Sequence, residues 1–417
     1  MPQEPSPSLA PAGAGRHPLR RLFASPAFRR LWAVGALANA MRWVEILVAA
    51  IFTFEATGSA LAVSLVAVLR ALPMFLAGAA AGAIAEVLDR RRLLMAGQGA
   101  VAVTASVLAL LAWSGQLAVW HLALANLIGG LAWTGEMAAR RRMVSEAADA
   151  EGGLVVQGMA LDSTTANTTR MAGPMLGGLV YQTLGPGAAY LIAAACYLAA
   201  LGLLAGLRMR QAPRPFAARQ ILADMADGVR VVRRYRALQA VILVTIGMNV
   251  FAFCYTAVLP ALGAAFFQAT PFEIGLLTGA EPAGGLLTGL VLAARRGVPL
   301  HPGLMIGGAA AFMLVLMLLP LMPALWMAVA LLMLGGVGVA LFAALQTALP
   351  VTEAPPEARS RVLGLVTTCI GMGPLGVLAV GALSDALGPG RAIPLMAVPG
   401  FAMMAWTAWH TLRRRRG

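Results

Sequence analysis

Apolar runs of about 20 residues, separated by short polar stretches, alternate along the whole chain. They fall near 31–54, 60–84, 93–113, 118–138, 157–182 and 187–207, and again near 238–262, 273–294, 303–320, 324–347, 361–384 and 391–411. A run of that length spans a ~30 Å hydrocarbon core as an α-helix. A helix is also the one single-segment structure that bonds all its backbone groups internally. The pattern therefore predicts an all-α polytopic membrane protein with twelve transmembrane helices. Its polar positions are unevenly placed. Segments 1, 2, 5 and 8 carry ionisable residues near mid-membrane, whereas 3, 6, 9 and 12 carry none there. Segment 3, with Gln98 as its large polar residue, reads as lipid-facing.

The runs group into two sets of six. Residues 1–22, rich in Pro, Ala and Gly, read as a disordered cytoplasmic tail. A first six-helix bundle covers 23–210 and a second 238–412, with a basic tail at 413–417. Between the bundles, the linker 211–237 sets Ile221, Leu222, Met225, Val229 and Val232 against arginines and aspartates, the pattern of an amphipathic interfacial helix. Asn39 and Asn249, Gly129–Gly130 and Gly335–Gly336, and Pro174 and Pro374 recur in the same order at offsets of 210, 206 and 200 residues. Six helices repeating with the same topology imply a parallel pseudo-repeat about an axis along the membrane normal.

Composition supports the same class, since 60% of the 417 residues are apolar and only 12% charged, with a mean hydropathy of +0.80. No soluble domain needs such values. The net charge of +14 is carried by 31 basic residues, all arginine, which suggests a GC-rich bacterial genome. Without lysine no phosphate-binding Gly-x-x-x-x-Gly-Lys loop can exist, which argues against ATP-driven transport by this chain. The charge does not point to nucleic acid, because arginines crowd alternate loops and both ends. By the positive-inside rule both termini are cytoplasmic, in a bacterial inner membrane. Three cysteines in apolar segments and four scattered histidines suggest neither a metal site nor a cofactor.

Candidate chemistry lies inside the segments. Asn39, Arg42 and Glu45, three residues apart, sweep about 120° of one helical face and can look into one cavity beside Trp43. As an alternative reading, Glu45 serves only to neutralise Arg42. Arg70 lies near the middle of segment 2. In segment 4, Glu136 precedes Arg140–Arg142 and is expected to be solvated or paired with them. Segment 5 holds Asp162, Asn167 and Arg170, then Gly173, Pro174, Gly177 and Gly178. An arginine some 20 Å into a helix, at ~1.5 Å per residue, must face a polar cavity or a partner. Asp162 lies near the cytoplasmic end, where it can cap or pair. The glycines permit close backbone approach and Pro174 removes a donor, which suits a packed hinge; Gly373 and Pro374 repeat it in segment 11. Asn249 and Tyr255 lie on segment 7. Glu281, midway through segment 8, has no basic neighbour on its own helix and is the leading proton carrier, with Glu45 second. As a rival reading, it is a counter-ion for Arg42, Arg70 or Arg170 with no protonation cycle.

After segment 2, Gly82, Ala85, Glu86, Asp89, Arg90 and Arg91 resemble the Gly-x-x-x-Asp-Arg-x-Gly-Arg-Lys loop between helices 2 and 3 of the major facilitator superfamily. Glu86 stands for the usual Asp, Val87 for the first Arg and Asp89 for the second Gly. Acidic residues followed by three arginines are frequent in the branch of bacterial efflux proteins that includes the enterobactin exporter. Arg170 to Gly178 likewise resemble that family's antiporter-associated Gly-Pro-x-x-Gly-Gly signature on helix 5. The resemblance implies two bundles rocking about a central site, with Gly82, Glu86, Asp89, Arg90 and Arg91 as a cytoplasmic gate. It implies a monomeric secondary transporter, coupled to protons, that exports a small organic molecule: a siderophore-like metabolite, an organic anion or a drug. Asn39, Arg42, Trp43, Arg70, Asn167, Arg170, Asn249 and Tyr255 would meet the substrate. Proton-coupled uptake of a polar or anionic solute, or a non-transporting receptor or scaffold, are the alternative readings. An intramembrane protease would need a Ser/His pair or apposed aspartates, and neither is visible.

Overall fold

The computed structural model describes residues 18–87, 89–207, 227–294 and 299–412, with the side chains of 77–87, 138, 293 and 412 left out. The tails at 1–17 and 413–417 and most of the linker, 208–226, lie outside the described residues. The remainder is helical. In the first half are α1 (Pro18–Ala24), α2 (Pro26–Thr57), α3 (Ala60–Val87), α4 (Arg90–Trp113), α5 (Val119–Asp149) and α6 (Val155–Ala205). In the second are α7 (Arg236–Gly247), α8 (Tyr255–Phe267), α9 (Pro271–Ala294), α10 (Pro302–Leu318), α11 (Leu325–Glu353), α12 (Arg359–Ile370), α13 (Gly373–Leu387) and α14 (Pro389–Leu412).

Local chemistry sets several boundaries. Ser25 caps α2, with Pro26 in its first turn, and Gly58 ends it at φ 66°, its N–H bonded to the Phe54 carbonyl. Asp89 caps α4 by accepting from the Arg92 N–H at 2.9 Å. The α6 helix has 51 residues, about 75 Å at 1.5 Å each and twice what a bilayer needs. It breaks at Gly185, with φ 78° and ψ 175°, just before Pro186. The two limbs run along α2 in opposite directions. On the first, Thr165 accepts from Trp32 and Tyr181 donates to Glu55. On the second, Tyr197 donates to Glu45 and the Gly206 carbonyl accepts from Arg30. Segments 5 and 6 are thus a hairpin with a one-residue turn.

Nine described stretches are long and apolar enough to cross a membrane. That number counts α6 once and leaves out α3 and α5, so it accords with twelve crossings. The structure corrects two boundaries. Residues 18–22, expected in a disordered tail, belong to α1, whose Leu22 is fully buried. Segment 4, expected to end at 138, continues as α5 to Asp149 and carries Arg140–Arg142 within the helix. Segments 7 and 11 are both interrupted. A π turn at Met248–Ala252 separates α7 from α8, and Gly371–Met372 separates α12 from α13. The two interruptions adjoin: a methyl group on Gly376 would strike the Val250 backbone.

Each half has its own apolar core. Tyr190, Val48 and Ala105 are central to the first, and Phe312, Met248 and Leu332 to the second. The halves meet mainly where α6 lies on α9 and α3 on α13.

Candidate functional site

We call the end of the bundle bearing both chain termini the terminal end. At the opposite end the halves are clasped. The Asp385 carboxylate accepts from the Ser59 hydroxyl at 2.5 Å, the Ala60 N–H at 2.7 Å and the Leu61 N–H at 3.2 Å. Nearby, Gln182 accepts from the Phe272 N–H at 3.2 Å. Moving inward, small residues bring the backbones together: Gly178 lies against Pro271, Gly275 against Pro174 and Gly279 against Met171. At mid-depth Arg170 joins Glu281 across the halves at 2.6 Å, its guanidinium 5.8 Å from the Trp43 ring centre. From Arg170 toward the terminal end, α6 exposes Thr168, Asn167, Thr164 and Ser163, and the hydroxyls of Thr164 and Thr168 donate to carbonyls four residues back. Polar residues exposed at membrane depth mark a water-filled face. The clasped end and the exposed polar face of α6 together point to a cleft closed at one end and open at the terminal end.

The other arginines turn into the first half. Arg42 pairs with Glu136 at 3.6 Å and lies 5.0 Å from the Trp133 ring centre. Glu136 also holds Arg140 at 3.0 Å, and Arg140 holds Asp162 at 2.6 Å. This chain joins α2, α5 and α6. Separately, Arg70 pairs with Glu45 at 3.6 Å and donates to Asn126 at 3.3 Å. Glu45 therefore meets Arg70, and not Arg42, the partner that its alternative reading gave it. Three spacings along α2 put the two groups at different heights, each within reach of a different neighbour. The three arginines and three carboxylates balance. Two of the arginines expected to face a substrate are already neutralised, which weakens the argument for an anionic one.

Of the remaining candidates, Trp43 and Asn167 border the cleft. Asn39 is buried. Asn249 sits in the π turn, its amide donating to the Thr245 carbonyl at 2.9 Å. Tyr255 is 1% exposed and stacks edge-on to Phe312, so it belongs to the core of the second half. Glu281 pairs with Arg170, one of the three arginines considered for it, and its other oxygen, Oε1, has no hydrogen-bond partner among the described residues. Pro174 lies in unbroken helix, whereas Gly373 and Pro374 follow a true break. Gly173 and Gly177 pack on Trp43 and Val44 of α2.

In the expected gate, the side chains of Gly82 and Glu86 lie outside the described residues. Arg90 pairs with Glu146 at 2.9 Å, and Arg91 donates to the Leu204 and Ala205 carbonyls that end α6. Gln98, on the segment read as lipid-facing, is 3% exposed. The sequence reading missed the Asp385 clasp and the partners Tyr197 and Trp133. Asp385 follows an apolar run near a turn, a place that signals a helix end and no more.

A family model described as transmembrane secretion effector matches residues 18–413. The chain is 30% identical over 349 residues to the multidrug efflux pump Tap of Mycolicibacterium fortuitum, covering 79% of this chain and 82% of that one. It is 28% identical over 390 residues to Tap of Mycobacterium tuberculosis, covering 90% of each. Among solved structures it is similar to the nucleoside transporter NupG, with a TM-score of 0.71 at 13% identity over 92% of this chain and 99% of that one. A bacterial homologue of the human lysosomal transporter Spinster, inward-facing and unoccupied, gives 0.69 at 14% identity over 93% and 96%. At such identities the solved structures speak for the fold alone.

Proposed function

Because the chain belongs to the transmembrane secretion effector family and is a multi-pass membrane transporter of the major facilitator fold, we propose that it exports small drug-like molecules in exchange for protons by alternating access. The relatives' efflux activity supports the direction. The arginines that crowd the terminal end support a cytoplasmic position for it, and on that reading the cleft opens inward.

The observation that carries the reading is the Arg170–Glu281 pair between the halves. Glu281 is 1% exposed, and among the described residues its ionic partner, Arg170, lies on the other half. If rocking separates α6 from α9, the carboxylate is left buried without a counter-ion, and such a group neutralises by binding a proton. A proton taken up from outside is released inside when Arg170 returns. Substrate entering the inward cleft competes for Arg170 and Glu281, and its different affinity in the two orientations couples the fluxes. Trp43, Asn167 and Asn249 would meet the rest of the molecule. A cleft with little net charge suits neutral or weakly charged amphipathic compounds better than polyanions.

The test is extrusion of a fluorescent drug from proteoliposomes under an imposed pH gradient. Glu281→Gln should lose gradient-driven extrusion at least tenfold while keeping equilibrium exchange of drug. Uphill extrusion by Glu281→Gln at the wild-type rate would overturn the reading.

A further inference from the structure

Two buried polar atoms on neighbouring helices of the second half have no hydrogen-bond partner among the described residues: the Tyr255 hydroxyl on α8 and Oε1 of Glu281 on α9. Each residue is 1% exposed. A buried phenol usually finds a partner, and a donor or acceptor left unmade in apolar surroundings is costly. What holds the carboxylate away is plain. Its other oxygen is taken at 2.6 Å by Arg170, which belongs to the opposite half.

Packing puts the two side chains at one level. Gly263 of α8 lies on Ile274 and Leu277 of α9, and the two helices run antiparallel across a short turn. Counting eight residues toward the terminal end along each helix brings Tyr255 level with the turn that begins beside Glu281. Of the charged groups, Glu281 and Arg170 are those that act on the Tyr255 hydroxyl, and Arg170 is the one that acts on Glu281. From α11 the neighbour is backbone, since a methyl group on Gly336 would strike the Glu281 carbonyl.

The internal repeat shows the corresponding contact made in the first half. A methyl group on Gly130 would strike the Arg70 carbonyl in the same way, so Arg70 and Glu281 hold equivalent places on the second segment of each half. Arg70 takes its partner from the first segment, Glu45 at 3.6 Å. In the second half the first segment offers Glu281 the Tyr255 hydroxyl, and there the bond is not made.

We propose that Tyr255 is the reserve partner of Glu281, a positioning residue whose hydroxyl donates to the carboxyl group once the halves part and Arg170 withdraws. The tyrosine keeps its own proton; the carboxyl exchanges a guanidinium on the far half for a phenol on its own. The new bond fixes the orientation of the carboxyl while the halves move. A phenol donor also favours the charged form, so it eases release of a bound proton. That last consequence rests on the proton-coupled reading above; the exchange of partners does not.

Tyr255→Phe keeps the ring against Phe312. Because the hydroxyl bonds nothing in this state, the variant should melt no lower than wild type; a lower melting temperature would mean a bond already made here and would overturn the exchange. Infrared difference spectra of the purified full-length protein read the contact itself. In Arg170→Leu, which removes the competing guanidinium, a protonated-carboxyl band that disappears on adding Glu281→Gln should move to higher wavenumber on adding Tyr255→Phe. In proteoliposomes, Tyr255→Phe alone should move half-maximal extrusion toward alkaline pH on the side where the proton is released, by about tenfold in proton concentration. A band that Tyr255→Phe leaves in place overturns the proposal, and so does gradient-driven extrusion by Tyr255→Phe with the wild-type pH dependence. If the band moves while extrusion ignores the pH gradient, the exchange of partners stands and the coupling reading fails.

Discussion

Arg140 is enclosed by Glu136 at 3.0 Å and Asp162 at 2.6 Å, and it passes Gly35 so closely that a methyl group there would strike its guanidinium. Removing one member of a buried, paired set leaves the other charge uncompensated, a loss of roughly 3–5 kcal/mol, whereas apolar replacement of the set is often neutral. Arg140→Ala is therefore expected to destabilise the protein by about that much, while Arg140→Met combined with Asp162→Leu, which leaves Glu136 paired with Arg42, recovers most of it. Thermal unfolding in detergent measures both. Equal losses in the single and double variants would show that the charges matter through shape alone. Little of this was legible in sequence. Three consecutive arginines read as a loop because such clusters mark membrane surfaces, and nothing in the chain tells which of the three turns inward. Arg170 was legible, since its position so deep in an apolar run required a partner, but that the partner was Glu281 depended on contact between helices 111 residues apart in sequence.

At the scale of helices, α6 presents small residues to two neighbours, Gly173 and Gly177 to α2 and Gly178 to α9, which answers with Gly275 and Gly279. With no hydrophobic effect between helices in lipid, such close backbone approach supplies much of the packing. A valine at Gly279 would put its Cβ 2.6 Å from the Met171 carbonyl and force the halves apart beside the Arg170–Glu281 pair. Gly279→Val should abolish gradient-driven extrusion with the protein still folded. By contrast, Gly202→Ala, which has nothing within 4 Å, should extrude normally and gain up to about 1 kcal/mol from helix propensity. Extrusion and melting temperature measured side by side decide, and normal transport by Gly279→Val would remove this contact from the working interface. The Gly-Pro signatures of segments 5 and 11 read alike in sequence, yet one lies in continuous helix and the other follows a break. The difference comes from what packs alongside: α6 has the straight helix α2, while the start of α13 has the π turn at Met248–Ala252.

For the whole molecule, the Asp385 clasp fixes which end is closed. It places a carboxylate of the second half on the first N–H groups of α3, an arrangement worth about 1 kcal/mol through the helix dipole. Asp385→Asn should open that end roughly fivefold more often. Thiol labelling of Leu61→Cys in a Cys196→Ser background reports it, since Cys196 is partly exposed and the native Cys254 and Cys369 are buried; labelling at the unaltered rate would assign closure to the glycine contacts alone. The twelve spans and the two-bundle plan were legible because apolar length and loop charge are properties of the chain itself. Which end is closed depends on contacts between the halves, and no run of residues encodes it. The pairing of charge has one more consequence, for bioenergetics. Arg42, Arg70 and Arg140 cancel Glu45, Glu136 and Asp162, and Arg170 cancels Glu281. One uncompensated charge carried across the membrane would exchange about 2.3 kcal/mol with every 100 mV of potential. With these charges balanced among the described residues, an empty carrier that reorients as proposed does no electrical work, and voltage would act only on the charge of its cargo and protons.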